Sequence, residues 1–405
     1  MKKSTITHSK LTSAALAVAA CSFLGAAYGA QFKDATAIVK KPTNVFISDK
    51  TFIGPFATLI AGKNGDQFIE IGEGSNVQDS CILNASKGSV EIGEGVIIAH
   101  GANVLGAKYI ETSIGIYGPG TVEDPNTVEH EATTHCFVSF NAKVQGAILE
   151  RGSIVSALAW VGPYVYLESG LKVLPGKHVA RQSDVAGATV PVTAADVLFM
   201  EGVIEVNEAF AEHWPDVVAD DPNDGLGIGP DPDTAFNPGS QIPTFAGTAL
   251  KDPKFKGKRI IGEVEMADTV KVLGKVMGPG SSLRADEGAP FIVGHIKRMG
   301  KNVTFHALED THIEVGDAGT YGTRSIIHGG PTPFGDTSNT LTHNVTKTGT
   351  GFKLGDGSVF FRSRAGDNVI VGKRSVVQQS DLADGTVIPD KEIWLNGVKF
   401  GNVEW

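Results

Sequence analysis

Aliphatic side chains recur at intervals of six residues over long stretches of this chain, and that interval constrains the fold more than any other feature. They stand at Ile71, Val77 and Leu83, at Ile92, Ile98 and Val104, and at Val359, Ala365, Val371 and Val377. An α-helix repeats about every 3.6 residues and a single strand about every 2, so neither explains the interval. A coil of short parallel strands joined by tight corners does, because one inward side chain per strand packs on the next coil. A β-sandwich is the alternative, but its strands recur about every 8–12 residues.

The interval occupies two blocks, residues 43–180 and 259–392, which predicts two tandem parallel β-helix domains in an all-β fold with accessory helices. A length of 405 residues also exceeds what one hydrophobic core usually serves. Between the blocks, residues 193–213 have helical apolar spacing, and an acidic segment rich in Pro and Gly follows. The predicted organisation is a signal segment at 1–30, a first β-helix with its helix at 31–213, a linker at 214–258 and a second β-helix at 259–405.

The first thirty residues resemble a secretory signal peptide. Lys2, Lys3 and Lys10 precede an apolar stretch, and small residues continue to Ala30. We therefore expect a periplasmic or secreted protein. The alternative is a lipoprotein anchored through Cys21, since Val-Ala-Ala-Cys resembles a lipoprotein cleavage motif. No later segment is apolar enough to span a bilayer.

The net charge limits the classes of binding partner, and the cysteine content limits the disulfide bonds that the chain can form. The net charge of −10 does not suit binding to a nucleic-acid backbone. Past the signal segment, only Cys81 and Cys136 remain. In an oxidising compartment they can pair, but their spacing does not indicate contact, so two buried thiols are the favoured interpretation.

Three histidines lie on strand-like stretches of the two blocks. His100 belongs to the first block, and His306 and His328 belong to the second. Imidazole is the usual zinc ligand, and three imidazoles leave a fourth position open for water, as in catalytic zinc sites. Most isolated histidines have no such role, so the spacing alone is weak evidence for a metal site.

Local motifs of the second block resemble those of gamma-class carbonic anhydrases, a family of left-handed hexapeptide-repeat β-helices. The segment Ser282–Pro290 is similar to the family loop that holds an Arg, an Asp and a proton-shuttle Glu, here Arg284, Asp286 and Glu287. The segment His306–Glu309 resembles the first metal His followed by a second shuttle Glu, and His328 resembles the last metal His. The family's middle His is replaced by Thr323, and its Asn-Val-Gln-Asp motif is missing from this block.

The first block carries what the second lacks. Its residues Asn76 to Asp79 resemble the amide motif, His100 resembles the middle His, and Asn207 resembles the Asn that faces the family's metal site. The other metal histidines are replaced here by Asn84 and Leu105. This division implies a tandem duplication in which one active site is assembled from both repeats, within one chain or between chains.

The resemblance implies reversible hydration of carbon dioxide to bicarbonate at a zinc site, with iron or cobalt as alternatives. The metal ligands would be His100, His306 and His328. The resemblance also implies roles for the other site residues. Gln78 would orient the hydroxide, Asn207 would position carbon dioxide and Asn76 would support the amides. Glu287 and Glu309 would carry protons, and Arg284 would form an interface ion pair with Asp286. The family's trimer implies a homo-oligomer with trimer-based packing.

Two other functions remain open from the sequence. Hexapeptide-repeat acyltransferases use the same coil with a catalytic His and no metal, although acyl-coenzyme A is not expected outside the cell. A non-catalytic exported β-helix scaffold is the second alternative, and the replacements at Asn84 and Thr323 motivate it.

Overall fold

A computed structural model describes residues 31–108, 111–116, 135–219, 244–245, 248–249, 257–262, 264–287, 290–308, 311–330 and 345–405, with side chains of the long helix described to residue 211. The predicted signal segment and most of the predicted linker lie outside these residues. So does Glu309. None of the helices within the described ranges combines the length and apolar character needed to cross a membrane.

Short strands build the first half of the chain, because β-branched and aliphatic residues alternate there with turn-forming residues. In chain order, β1–β21 are Phe32–Lys33, Ile38–Lys40, Val45–Ile47, Phe52–Ile53, Thr58–Ile60, Ile69–Ile71, Asn76–Val77, Ile82–Asn84, Val90–Ile92, Val96–Ile98, Asn103–Leu105, Thr112–Ile114, Cys136–Val138, Lys143–Gln145, Ile148–Leu149, Ile154–Val155, Trp160–Val161, Tyr166–Leu167, Leu171–Val173, His178–Val179 and Thr189–Pro191. Every third strand joins the same sheet, which gives three sheets in the orders β1-β4-β7-β10-β13-β16-β19-β21, β2-β5-β8-β11-β14-β17-β20 and β18-β15-β12-β9-β6-β3.

The second half repeats this architecture. Its strands β22–β42 are Thr244–Phe245, Thr248–Ala249, Lys258–Gly262, Val264–Met266, Ser281–Ala285, Phe291–Val293, Ile296–Met299, Thr304–His306, His312–Val315, Gly319–Tyr321, Ile326–His328, Val345–Thr348, Lys353–Leu354, Val359–Phe361, Arg364–Ala365, Ile370–Val371, Val376–Gln378, Asp381–Leu382, Val387–Ile388, Glu392–Leu395 and Val398–Asn402. The three sheets run β23-β22-β25-β27-β30-β33-β36-β39, β24-β26-β29-β32-β35-β38-β41-β42 and β28-β31-β34-β37-β40. Apart from the antiparallel pairs β19–β21, β22–β23 and β41–β42, the described pairings are parallel. The predicted fold class, two tandem left-handed parallel β-helices, is confirmed.

The helices are few, and one of them is long. Helix α1 spans Val185–Ala188, α2 spans Ala194–Ala219 and α3 spans Val270–Val276, and two short 3-10 helices span Pro42–Asn44 and Gln182–Asp184. Each β-helix has its own buried core. A separate apolar cluster lies between them, where α2 packs against β10, β13 and β16 of the first domain and β32, β35 and β38 of the second.

Inward positions follow the predicted interval in the first domain but shift in the second. Ile71, Val77 and Leu83 are fully buried in the first core. In the second domain, Val359 pairs with Val376, only 17 residues later, whereas a coil of the first domain pairs Ile154 with Lys172. The prediction of Val359 as an inward residue is therefore wrong. The inward side chain is the next residue, Phe360, since successive side chains of a strand point to opposite faces.

Both cysteines are free, buried thiols, as favoured from the sequence. The Cys81 thiol lies 3.0 Å from the carbonyl oxygen of Ala99, and the Cys136 thiol lies 3.1 Å from that of Glu150. Burial raises the pKa of both thiols. They are therefore protonated, poorly nucleophilic core residues.

Candidate metal centre

Strand register places the two second-domain histidines side by side. In the sheet that contains β24, β26, β29 and β32, Arg284 pairs with His306, and His306 pairs with His328. Adjacent strands lie about 4.8 Å apart, so these side chains project from one face on successive rungs. The next rung in the same row is Phe361.

The first domain brings His100 to the same point from the opposite side. His100 lies at a corner of the coil just after β10. Asp79 occupies the equivalent position one coil earlier, just after β7. Its Nε2 lies 3.1 Å from Nδ1 of His306, and the same Nδ1 lies 3.2 Å from Nε2 of His328. The three imidazoles are buried, and their nearest ring nitrogens lie within 4.8 Å of one another, although more than 200 residues separate His100 from His306.

The spacing of these nitrogens fits one shared metal ion. Two ligands on a tetrahedral ion with bonds of about 2.0–2.1 Å lie about 3.3 Å apart. The two measured nitrogen separations, 3.1 and 3.2 Å, are close to that value. Three buried imidazoles can therefore hold a metal ion between the two domains.

A buried ion network supports the histidines. Arg284 Nη1 donates to Asp79 Oδ1 at 2.6 Å across the domain interface, and its Nε donates to Asp286 Oδ2 at 2.9 Å. Ser282 Oγ donates to the other oxygen of Asp79 at 2.5 Å. Burial alone raises the pKa of Asp79, but Arg284, His100 and His306 together outweigh it, so the pKa of this carboxyl lies well below its usual range. The pKa of Asp286 is lowered for the same reasons, so both carboxylates are ionised around the guanidinium of Arg284.

The carboxylates also orient the imidazoles. Asp79 Oδ1 lies 3.4 Å from Nδ1 of His100, and Glu287 Oε2 lies 3.3 Å from Nε2 of His306. A carboxylate at the outer nitrogen of a ligating His fixes the tautomer that leaves the other nitrogen free for metal. In each case the nitrogen that faces the other imidazoles is the one opposite the carboxylate.

The three histidines differ in their affinity for protons. Burial lowers the pKa of His100 to about 4, even though Asp79 opposes the effect. Burial, with His306 and His100 nearby, lowers the pKa of His328 well below its usual value. For His306, burial and Arg284 lower the pKa, but the carboxylates of Asp286 and Glu287, 3.6 and 3.3 Å from its Nε2, prevail, and the net shift is upward. At neutral pH two of the three imidazoles are neutral and available as ligands.

The predicted amide residues lie on the first-domain side of the centre. Asn76 is fully buried on β7, between Phe52 and Ile97 in register, and within the described residues neither atom of its amide has a hydrogen-bond partner. Gln78 is also buried and directly precedes Asp79. Asn207 is buried on α2, where its amide nitrogen donates to the Val203 carbonyl at 2.7 Å.

Phenylalanine side chains close one side of the centre. Phe140 stacks on His100 at a centroid distance of 6.0 Å and contacts His328 at 4.9 Å. Phe361 contacts His328 at 5.3 Å from the second domain. Sequence reasoning missed these two residues and gave Asp79 and Ser282 no role. The register that puts Phe361 next to His328 was not visible, because 32 residues and two further strands separate them along the chain.

Sequence comparison finds two kinds of curated relative. The chain is 29% identical over 168 residues to a carbonic anhydrase of Methanosarcina thermophila, a match covering 39% of this chain and 62% of that protein. It is 28% identical over 137 residues to the carboxysome assembly protein CcmM of a Nostoc species, covering 34% of this chain and 23% of that protein. The chain is therefore distantly related, over part of its length, to this carbonic anhydrase and to CcmM.

The matches span less than two thirds of these curated relatives. No family model matches the chain. Among solved structures, a hexapeptide transferase family protein from Anaplasma phagocytophilum aligns with a TM-score of 0.31 and 18% identity, covering 45% of this chain and 90% of that one. A putative acetyltransferase from Bacillus cereus aligns with a TM-score of 0.26 and 14% identity, covering 44% and 96%. The fold assignment rests on the strand topology of the chain itself.

Proposed function

We propose that this protein is a metal-dependent carbonic anhydrase that catalyses reversible hydration of carbon dioxide to bicarbonate. The observation that carries the proposal is the convergence of His100 with His306 and His328 from the other domain, at nitrogen separations of 3.1 and 3.2 Å. The relationship to a named carbonic anhydrase supports it. Each domain alone has too few of these ligands, so the functional site is a composite of both repeats.

The bound metal, with zinc as the default and iron or cobalt as alternatives, would supply a water molecule acidic enough to ionise near neutral pH. In this proposal Gln78 hydrogen-bonds that solvent, Asn207 positions carbon dioxide and Asn76 supports the amides. Glu287 is proposed as one proton carrier; its carboxylate is almost fully buried and lies 3.3 Å from Nε2 of His306. Glu309, proposed as the second carrier, lies outside the described residues.

Arg284 and Asp286 serve assembly in this proposal. Their ion pair extends to Asp79 of the other domain, so it aligns the loop that carries Glu287 with the corner that carries His100. The working protein is proposed as an exported homo-oligomer with trimer-based packing, periplasmic or secreted, with anchoring through Cys21 as the alternative.

Metal analysis and carbon dioxide hydration assays on single variants test the proposal. His100→Ala and His306→Ala should each lose the bound metal and hydration activity, since each removes one of three ligands. His295→Ala is the matched control, because this exposed His is not part of the three-imidazole cluster and pairs with Asp268 instead.

The expected stoichiometry is one metal per chain. Two metals per chain contradict the divided site, and full hydration activity in His100→Ala contradicts its assignment. A metal-free, inactive wild-type protein favours the acyltransferase or scaffold functions instead.

A further inference from the structure

A second cavity lies between the two domains, on the far side of the phenylalanines that close the candidate metal centre. Its volume is about 380 Å³, and its walls come from the first domain, the beginning of α2 and the second domain. The wall is mainly apolar, with Phe137, Ile154 and Phe199 on one side and Val359 and Phe361 on the other. Small-molecule sites are concave and largely apolar in this way, with a few polar groups that orient the ligand.

The charged groups of this cavity leave one cation uncompensated. Lys172 and Asp196 both line it, and they neutralise each other through contacts of 2.8 and 2.7 Å from the Lys172 ammonium to the two carboxylate oxygens. Arg362 also lines it, and within the described ranges of the chain it forms no ion pair. Its Nε is buried without a hydrogen-bond partner among those residues. A buried donor of this kind has lost its hydration without replacing it.

Aromatic rings hold the guanidinium of Arg362 in a fixed plane. Its Cζ lies 5.1 Å from the ring centroid of Phe199 and 4.6 Å from that of Phe361. Stacking on the faces leaves the terminal N–H groups, rather than the occluded Nε, available to a ligand. Burial lowers the pKa of Arg362 to about 10, so the side chain remains cationic at neutral pH.

We propose that this cavity binds a small monocarboxylate with an apolar body. The carboxylate binds the terminal N–H groups of Arg362, because a planar guanidinium and a carboxylate form two parallel hydrogen bonds. The apolar body lies against the phenylalanine side chains of the wall. The Gln378 and Gln379 side chains, which also line the cavity, supply further donors.

This ligand is distinct from the substrate proposed for the metal centre. Bicarbonate would leave most of a 380 Å³ cavity empty and would not use its apolar walls. None of the three clustered histidines lines the cavity; Phe140 and Phe361 line it and also contact His328. The inference therefore does not depend on the function proposed for that centre.

Titration calorimetry with benzoate on the full chain, in the presence of a chelator, tests this proposal. The chelator removes any metal that would itself capture a carboxylate. We expect saturable binding of benzoate to one site per chain, and about 10- to 100-fold weaker binding of the uncharged benzyl alcohol. Arg362→Gln should weaken benzoate binding by a similar factor.

Arg298→Gln is the matched control, because it removes the same charge from an exposed strand position of the same domain. Ala195→Trp is a second test that leaves Arg362 intact, since this exposed residue lines the cavity and a Trp there would obstruct it. Equal benzoate affinity in the wild type, Arg362→Gln and Ala195→Trp would overturn the proposal. So would the absence of saturable binding, or benzoate binding that disappears when metal is chelated.

Discussion

Arg284 shows how much a single side chain does at the domain interface. It is almost fully buried, it binds Asp286 of its own domain and Asp79 of the other, and its guanidinium lies 5.4 and 5.5 Å from the rings of Phe52 and Phe210. Burial lowers the pKa of Arg284, but the two aspartates outweigh it and raise the pKa. The group is permanently charged, so its removal leaves two buried carboxylates facing each other.

At this scale we predict that Arg284→Met lowers the free energy of unfolding by about 3–5 kcal/mol, the usual cost of breaking a buried ion pair. Urea denaturation of the wild type and the variant measures the difference. Lys347→Met is the control, since Lys347 pairs with Glu314 at the surface and should change stability by about 1 kcal/mol or less. Equal losses in the two variants would show that the Arg284 network has no special role.

Among the secondary-structure elements, α2 is the one that joins the domains. Met200 and Val203 lie in the apolar cluster that contains residues of both β-helices. One to two turns later, Val206 and Phe210 pack in a second cluster with Phe52 and Ile261. The helix therefore buries apolar side chains in two clusters, each of which contains residues of both domains.

We expect Met200→Ala to destabilise the protein by about 2–5 kcal/mol, because it leaves a cavity in a fully buried cluster. Leu198→Ala is the comparison on the same helix, since Leu198 is 56% exposed and should change stability by about 0.5 kcal/mol or less. Chemical denaturation gives both values. A loss in Leu198→Ala as large as that in Met200→Ala would contradict the packing of α2 described above.

For the whole molecule, a metal ion at the candidate centre would act as a cross-link between the domains. One imidazole comes from the first β-helix and two come from the second, and all three are buried together. Since the unfolded chain does not hold them near one another, metal binding favours the folded arrangement of both domains.

Calorimetric unfolding with zinc and with a chelator measures this coupling. Zinc at 100 times its dissociation constant should stabilise the wild type by about 2.7 kcal/mol and raise its Tm accordingly. His100→Ala should lose that increase even though it leaves the second domain untouched. An equal increase in Tm in His100→Ala would show that zinc binds elsewhere.

Much of each domain was predictable because the relevant signals are local. The six-residue interval indicated the coils, and Ile71, Val77 and Leu83 are inward as expected. The interval failed at Val359, where coils of 17 residues shift the inward position by one. Such a shift depends on the number of residues in each corner of the coil, and the amino-acid composition of a corner does not determine that number.

The sequence by itself determined the repeat, the two blocks and the residue types of a three-imidazole centre, because each is a property of a short segment. Only the tertiary structure decided that His100 lies against His306 and His328, that Arg284 binds Asp79, and that α2 shares apolar clusters with both domains. All of these contacts join residues far apart in the sequence, and the His100–His306 and Arg284–Asp79 contacts span 206 and 205 positions. They arise from the complementary shape and charge of two whole surfaces, and no local pattern encodes how two such surfaces pair.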